Sequence, residues 1–131
     1  MGAVMAPSCA NTLYEHLNDL KRDISYYDLI LTGDLGEFGV KIFKEYAKIN
    51  YNMKVVNHLN AGNEIYVKND NINAGGSGPA CLPLVLFNKI IPSKKYKKIL
   101  IIGTGALLSK TFSNQKLSIP SISHAVSLEV L

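Results

Sequence analysis

Apolar and polar positions along the chain switch between a period near 3.6 residues and a period of two, and the switches outline a layered α/β domain. Leu13, Leu17 and Leu20 recur at helical spacing between Pro7 and Arg22, which predicts an amphipathic helix. Tyr27-Asp28-Leu29-Ile30-Leu31-Thr32 is a β-prone run stopped by Gly33-Asp34. Residues 35–49 return to the helical period, with Phe38, Ile42, Tyr46 and Ile49 on one face and Asp34 placed to cap the first turn.

Residues 50–77 are rich in Asn, Gly and Asp and hold only the short apolar pieces Val55-Val56 and Ile65-Tyr66-Val67. Such residues favour turns, so this stretch reads as an irregular connection with one short helix or strand. Pro79 suits the first turn of a helix in which Cys81, Leu82, Leu84, Val85, Leu86, Phe87, Ile90 and Ile91 are apolar nearly all round. A helix of that kind belongs between layers. Lys98 to Thr104 has the apolar run of a central strand buried on both faces. The last strand, Ile122 to Val130, alternates: Ile122, His124, Val126, Leu128 and Val130 share one face, Ala125, Ser127 and Glu129 the other.

The 131 residues, 47% hydrophobic, suit one layered domain or half of a larger one. Runs such as Ile99-Leu100-Ile101-Ile102 fall far short of the roughly 20 apolar residues that span a bilayer. The opening Met1-Gly2-Ala3-Val4-Met5-Ala6-Pro7 has neither the basic start and apolar core of a signal peptide nor a hydroxyl at Ala6 for myristoylation, so a cytoplasmic chain is expected. Cys9 and Cys81 have no close Cys partner and read as buried reduced thiols. The net charge of +4 gathers at Lys94, Lys95, Lys97 and Lys98. With no aromatic-rich surface or nucleic-acid motif beside it, this cluster reads as a solvated connector and no nucleic acid is expected as a partner.

Gly103-Thr104-Gly105-Ala106-Leu107-Leu108-Ser109 and the polar loop ending Ser118-Ile119-Pro120 put glycines and hydroxyls at the end of an apolar strand. Layered α/β proteins commonly bind ligands at such a mouth. The turn lacks the further glycine and βαβ context of a dinucleotide fingerprint, and no GK[ST] follows a glycine-rich loop. Three isolated histidines and scattered carboxylates show no metal-ligand spacing, so no metal and no cofactor are expected. Cys81 sits inside an apolar helix rather than at an exposed electropositive turn, which makes it structural. His124, on a face with Val126 and Leu128, reads as a hydrogen-bonded core histidine, His16 as a surface residue, and His58 as the functional candidate.

Several ordered blocks together resemble the stage V sporulation protein AD family: Tyr27 to Gly36, Gly75-Gly76-Ser77-Gly78-Pro79-Ala80-Cys81, Ile99 to Ser109, and Ser118 to Val126. The resemblance covers essentially the whole chain, and even Met1 to Pro7 looks like an internal stretch of the family. It implies a thiolase-like fold of two similar five-stranded α/β halves, of which residues 1–131 match only the C-terminal one, a mixed sheet layered with helices. It implies a non-catalytic role, binding dipicolinic acid or its calcium chelate for uptake into the developing spore. The partners it implies are other stage V sporulation A proteins at the spore inner membrane, to which the chain would attach peripherally. An N-terminal half-domain, or self-association, would cover the apolar face expected of one isolated layer.

In ketoacyl synthases a histidine follows the first strand of this half and an asparagine lies in the glycine-rich segment. This chain has Thr32-Gly33-Asp34 and Gly75-Gly76-Ser77 there, so half of a condensing enzyme or acyltransferase is the weaker alternative, and a fragment that only packs on a partner is another. The family pattern His-Asn-Asp-Cys-Gly is here His58-Leu59-Asn60-Ala61-Gly62, without the acid and the thiol. A small aromatic dicarboxylate needs N–H and O–H donors and a flat apolar wall. Thr32, Asp34, His58, Asn60, Gly76, Ser77, Thr104 and Ser118 form the candidate ligand set.

Overall fold

The computed structural model describes residues 1–66 and 74–130, which leaves Val67 of the middle connection outside. Helix α1 spans Gly2–Asp19 and strand β1 Leu29–Thr32, followed by helix α2, Gly36–Tyr51. Strand β2, His58–Asn60, runs straight into the short helix α3, Ala61–Glu64. A helical stretch follows as α4 (Cys81–Val85), a wide π segment (Leu86–Ile90) and α5 (Ile91–Ser93). Strand β3 (Lys98–Ala106), helix α6 (Lys110–Asn114) and strand β4 (Ser121–Glu129) complete it.

The four strands form one mixed sheet in the order β2-β1-β3-β4. β1 pairs in parallel with β2 and β3, Thr32 lying beside both Asn60 and Ile102, while β3 and β4 are antiparallel. Helices α1 and α2 cover one face, where Met5, Leu13, Phe43, Ile30, Leu100 and Ile102 form the larger core. Helix α4 and the π segment cover the other with Cys81, Val85, Leu86 and Ile90 on Leu29, Leu31 and Ile99. The chain leaves β1 towards β2 and then crosses back to β3, so the order reverses between β1 and β3.

Three elements differ from the expectation, each for a packing reason. Helix α1 starts at Gly2, ahead of Pro7, and ends before Leu20, which is exposed. Met5, Ala6, Cys9 and Ala10 extend its inward stripe, and burying them outweighs the single backbone bond that Pro7 cannot donate. Helix α2 turns inward not Phe38 and Ile49, 68% and 72% exposed, but Gly36, Gly39, Phe43 and Ala47. Small residues win that face because the helices touch: a Cβ on Gly39 would lie 2.9 Å from the Gly2 Cα. The helix from Cys81 buries only one flank, leaving Phe87 63% exposed and Leu84 and Ile91 exposed beside it. Its wide turn precedes Pro92, which has no N–H to continue the ordinary ladder.

Strand β4 alternates as expected, but its apolar face is the bare one. Ser123, Ala125 and Ser127 turn towards α1, with the Thr12 hydroxyl donating to the Ser123 carbonyl at 3.2 Å. His124 is exposed, not a core histidine, because α4 covers β1 and the start of β3 and does not reach β4. His16, expected at the surface, is half-buried, its Nε2 2.6 Å from the Tyr27 hydroxyl that also accepts from Arg22 at 2.8 Å.

The middle connection holds both a strand and a helix. Strand β2 is polar and is tied to β1 by a buried network: Asn60 Nδ2 donates to Thr32 Oγ1 at 2.9 Å, and the Thr32 hydroxyl lies 2.9 Å from His58 Nε2. Burial, and then the nearby Lys44 charge, lowers the His58 pKa to about 4, so the ring stands neutral beside the Thr32 hydroxyl. The ring also packs against Phe43, centroids 5.2 Å apart.

Two outcomes follow. Gly39→Ala forces a Cβ against backbone and should cost about 1–3 kcal/mol in urea denaturation. Gly103→Ala, whose Cβ would meet nothing nearer than 3.9 Å, should change the midpoint little. The His58 shift has a definite sign: the unfolded chain takes up a proton first as pH falls. Stability should therefore drop from about pH 6.5 to about 4, by on the order of 3 kcal/mol, and this loss should then level off. Denaturation of wild type and His58→Gln across that window checks it, and equal slopes would contradict it.

Candidate functional site

The carboxyl ends of β1 and β3 flank the point where the strand order reverses, the usual crevice for ligands in open α/β sheets. The chain there is knotted through backbone. Gly33 N–H donates to Ile102 O at 3.1 Å, Gly62 N–H to Gly33 O at 3.1 Å, and Gly76 N–H to Gly62 O at 2.6 Å. A Cβ on Gly33 would lie 2.7 Å from Thr104 Oγ1, so glycine is what lets β1 and β3 end side by side. Gly75 turns the third loop inward at φ +93°, a conformation that suits glycine.

Asp34 does not cap α2, whose N-cap is Leu35 with no side-chain bond. Its carboxylate crosses the mouth instead. Oδ2 accepts the Gly78 N–H at 2.8 Å and the Ser77 hydroxyl at 3.3 Å, and Oδ1 accepts the Thr104 hydroxyl at 3.4 Å. Hydrogen bonds to a charged group contribute roughly 1.5–3 kcal/mol, enough to hold three chain segments around one anion. Beside it lies an open cavity of about 270 Å³ with apolar walls at Pro79, Leu82 and Ile122 and polar groups at Asp34, Thr104 and His124.

The eight candidate residues divide. Asp34 and Thr104 line the cavity and Ser77 is bonded to Asp34 at its edge. The N–H of Gly76 already serves Gly62. Thr32, His58 and Asn60 make the network that joins β1 to β2, and Asn60 Oδ1 is buried there without a partner among the described residues. Ser118 stands exposed on the β3–β4 connection, away from the cavity lining. His124, Leu82 and Ile122 line the cavity without having been candidates. The pairing of His124 with Gly103 is what brings it there, and the alternation of β4 was its one sequence signal.

Cys81 is 4% exposed, and burial, then the Asp34 charge, pushes its thiol up from the ordinary value. Cys9 is wholly buried and raised further, by burial alone. Reactive cysteines need the opposite environment. Among the described residues no cluster of three or more His, Cys, Asp or Glu side chains is suited to a metal ion, and no helix is long and apolar enough to cross a membrane. The mouth offers a carboxylate oxygen, Asp34 Oδ1, to a cation or an N–H, between apolar walls that include Leu82 and Ile122.

Comparison with known proteins identifies the family of the sequence. The family described as Stage V sporulation protein AD matches residues 1–129. Stage V sporulation protein AD of Bacillus subtilis (strain 168) is 40% identical over 132 residues, which take in 98% of this chain and 39% of that relative's length. With nearly every residue inside the match, the chain belongs to the stage V sporulation protein AD family.

Proposed function

We propose that this chain supplies one side of a non-catalytic binding site for dipicolinic acid, taken as its calcium chelate during uptake into the developing spore. The observation that carries this reading is the Asp34 carboxylate in the cavity wall. A free dicarboxylate there would set like charges against each other, whereas calcium brings a charge that Asp34 can meet. Oδ1 has only the long bond from Thr104 among the described residues, so it is the oxygen open to the cation. The pyridine ring would lie between Leu82 and Ile122, with His124 as a donor to a ligand carboxylate. At about 270 Å³ the cavity suits a single ring rather than the drug-sized ligands of roughly 300–1,000 Å³ pockets.

Three features support binding without bond making. His58 is held neutral on Thr32, Cys81 is buried and raised, and the positions where condensing enzymes carry histidine and asparagine hold Thr32-Gly33-Asp34 and Gly75-Gly76-Ser77. Attachment at the spore inner membrane through other stage V sporulation A proteins belongs to the same proposal.

The bare sheet face supports a companion reading, that a second thiolase-like layer covers this C-terminal one. Val126 and Ile122, 57% and 59% exposed, lie on the side of the sheet that carries exposed Leu84 and Phe87. Exposed apolar area of this extent marks an interaction surface.

Titration calorimetry tests the ligand. Calcium with dipicolinate should bind wild type and lose at least about tenfold with Asp34→Asn, while dipicolinate alone should bind Asp34→Asn no worse than wild type. Equal affinity of the two proteins for the chelate would contradict the role of Asp34. Sedimentation tests the face. The chain should self-associate as its concentration rises, and the double substitution Phe87→Lys with Val126→Lys should keep it monomeric. A wild-type monomer that binds no hydrophobic dye would overturn the second layer.

A further inference from the structure

A second and larger cavity, about 530 Å³, is an open groove lined by the connection between β3 and β4. Leu107 N–H donates to Pro120 O at 3.0 Å and closes the base of this connection, so residues 108–119 form a self-contained loop around α6. Phe112 is half-buried within it, and Leu107, Leu108, Leu117 and Ile119 line the groove at 57%, 61%, 52% and 38% exposure. These side chains line one shallow apolar groove.

The charge around the groove has one sign. Lys110 and Lys116 sit in its wall, both exposed and neither in an ion pair among the described residues. The sequence has no acidic residue from 71 to 128. Lys116 closes α6 at φ +55°, its N–H on Ser113 O at 3.1 Å, while Leu117 N–H reaches Phe112 O at 2.9 Å. That is a helix-ending turn in which glycine is the usual residue. A lysine there is conformationally costly, and it places a cation beside Leu117 at the edge of the apolar hollow.

We propose that this groove binds a single-chain anionic amphiphile, a long-chain carboxylate, with its alkyl chain along Leu107, Leu108 and Leu117 and its head group on Lys110 and Lys116. An apolar, concave lining with a few charged groups at one edge matches that chemistry. The dipicolinate cavity shares none of these residues, so the two readings stand or fall separately.

Calorimetric titration of the 131-residue chain with decanoate, and with decyl glucoside as a neutral match, both below their micelle concentrations, tests it. Decanoate should bind saturably with one site, and decyl glucoside at least about tenfold more weakly. Lys116→Gly relieves the left-handed backbone and should melt no lower than wild type, yet weaken decanoate about tenfold. Leu108→Ser should weaken both ligands. Equal binding of the two amphiphiles, unchanged affinity in Lys116→Gly, or binding to anionic phosphatidylglycerol vesicles with none to decanoate would each overturn the proposal.

Discussion

The mouth of the sheet depends on one charged side chain. Asp34 accepts from Gly78 and Ser77 on one loop and from Thr104 at the end of β3, so a single carboxylate fixes how far apart three chain segments stand. The backbone ties through Gly33 and Gly62 hold the same segments from behind. The strands supply the reason this happens here. β1 is flanked by parallel partners on both sides and its helical crossovers leave to opposite faces, which opens a crevice where no helix can fill the gap.

Coverage of the sheet is unequal, and that inequality shapes the rest. On one face α1 and α2 meet backbone to backbone at Gly2 and Gly39 and shield all but the edge of the sheet. On the other face one short, interrupted helical stretch covers β1 and part of β3 and stops. The uncovered strip brings His124 and Ile122 to the cavity, and it also leaves apolar side chains in water. The open cavity and the exposed apolar strip are thus adjacent consequences of one missing cover.

Much of the architecture was legible in the periods of the sequence. The apolar run around Leu100 and the strict alternation of β4 located two neighbouring strands, and the Gly75 to Cys81 block marked a loop leading into a helix. Misassignments arose where size or polarity, not hydrophobicity, decides. The inward face of α2 is built on Gly36, Gly39 and Ala47, which carry little hydrophobic signal, and β2 is a strand of His58, Leu59 and Asn60 whose stability comes from hydrogen bonds to Thr32. The partners of Asp34 lie 43, 44 and 70 residues away, so local pattern could suggest only a helix cap. Of the candidate ligand set, the residues near in sequence to the Gly33 turn and to Gly105 reached the cavity. Thr32, next to Gly33 in number, is instead taken up with Asn60 and His58 in the network that joins β1 to β2.

Amide chemical-shift mapping during titration with calcium dipicolinate tests the account most directly. The account predicts saturable shifts centred on Gly33, Asp34, Ser77, Gly78, Thr104 and Gly105, with the lysine-rich turn at 94–98 silent. Shifts centred on that turn, or no shifts at any concentration, would contradict it.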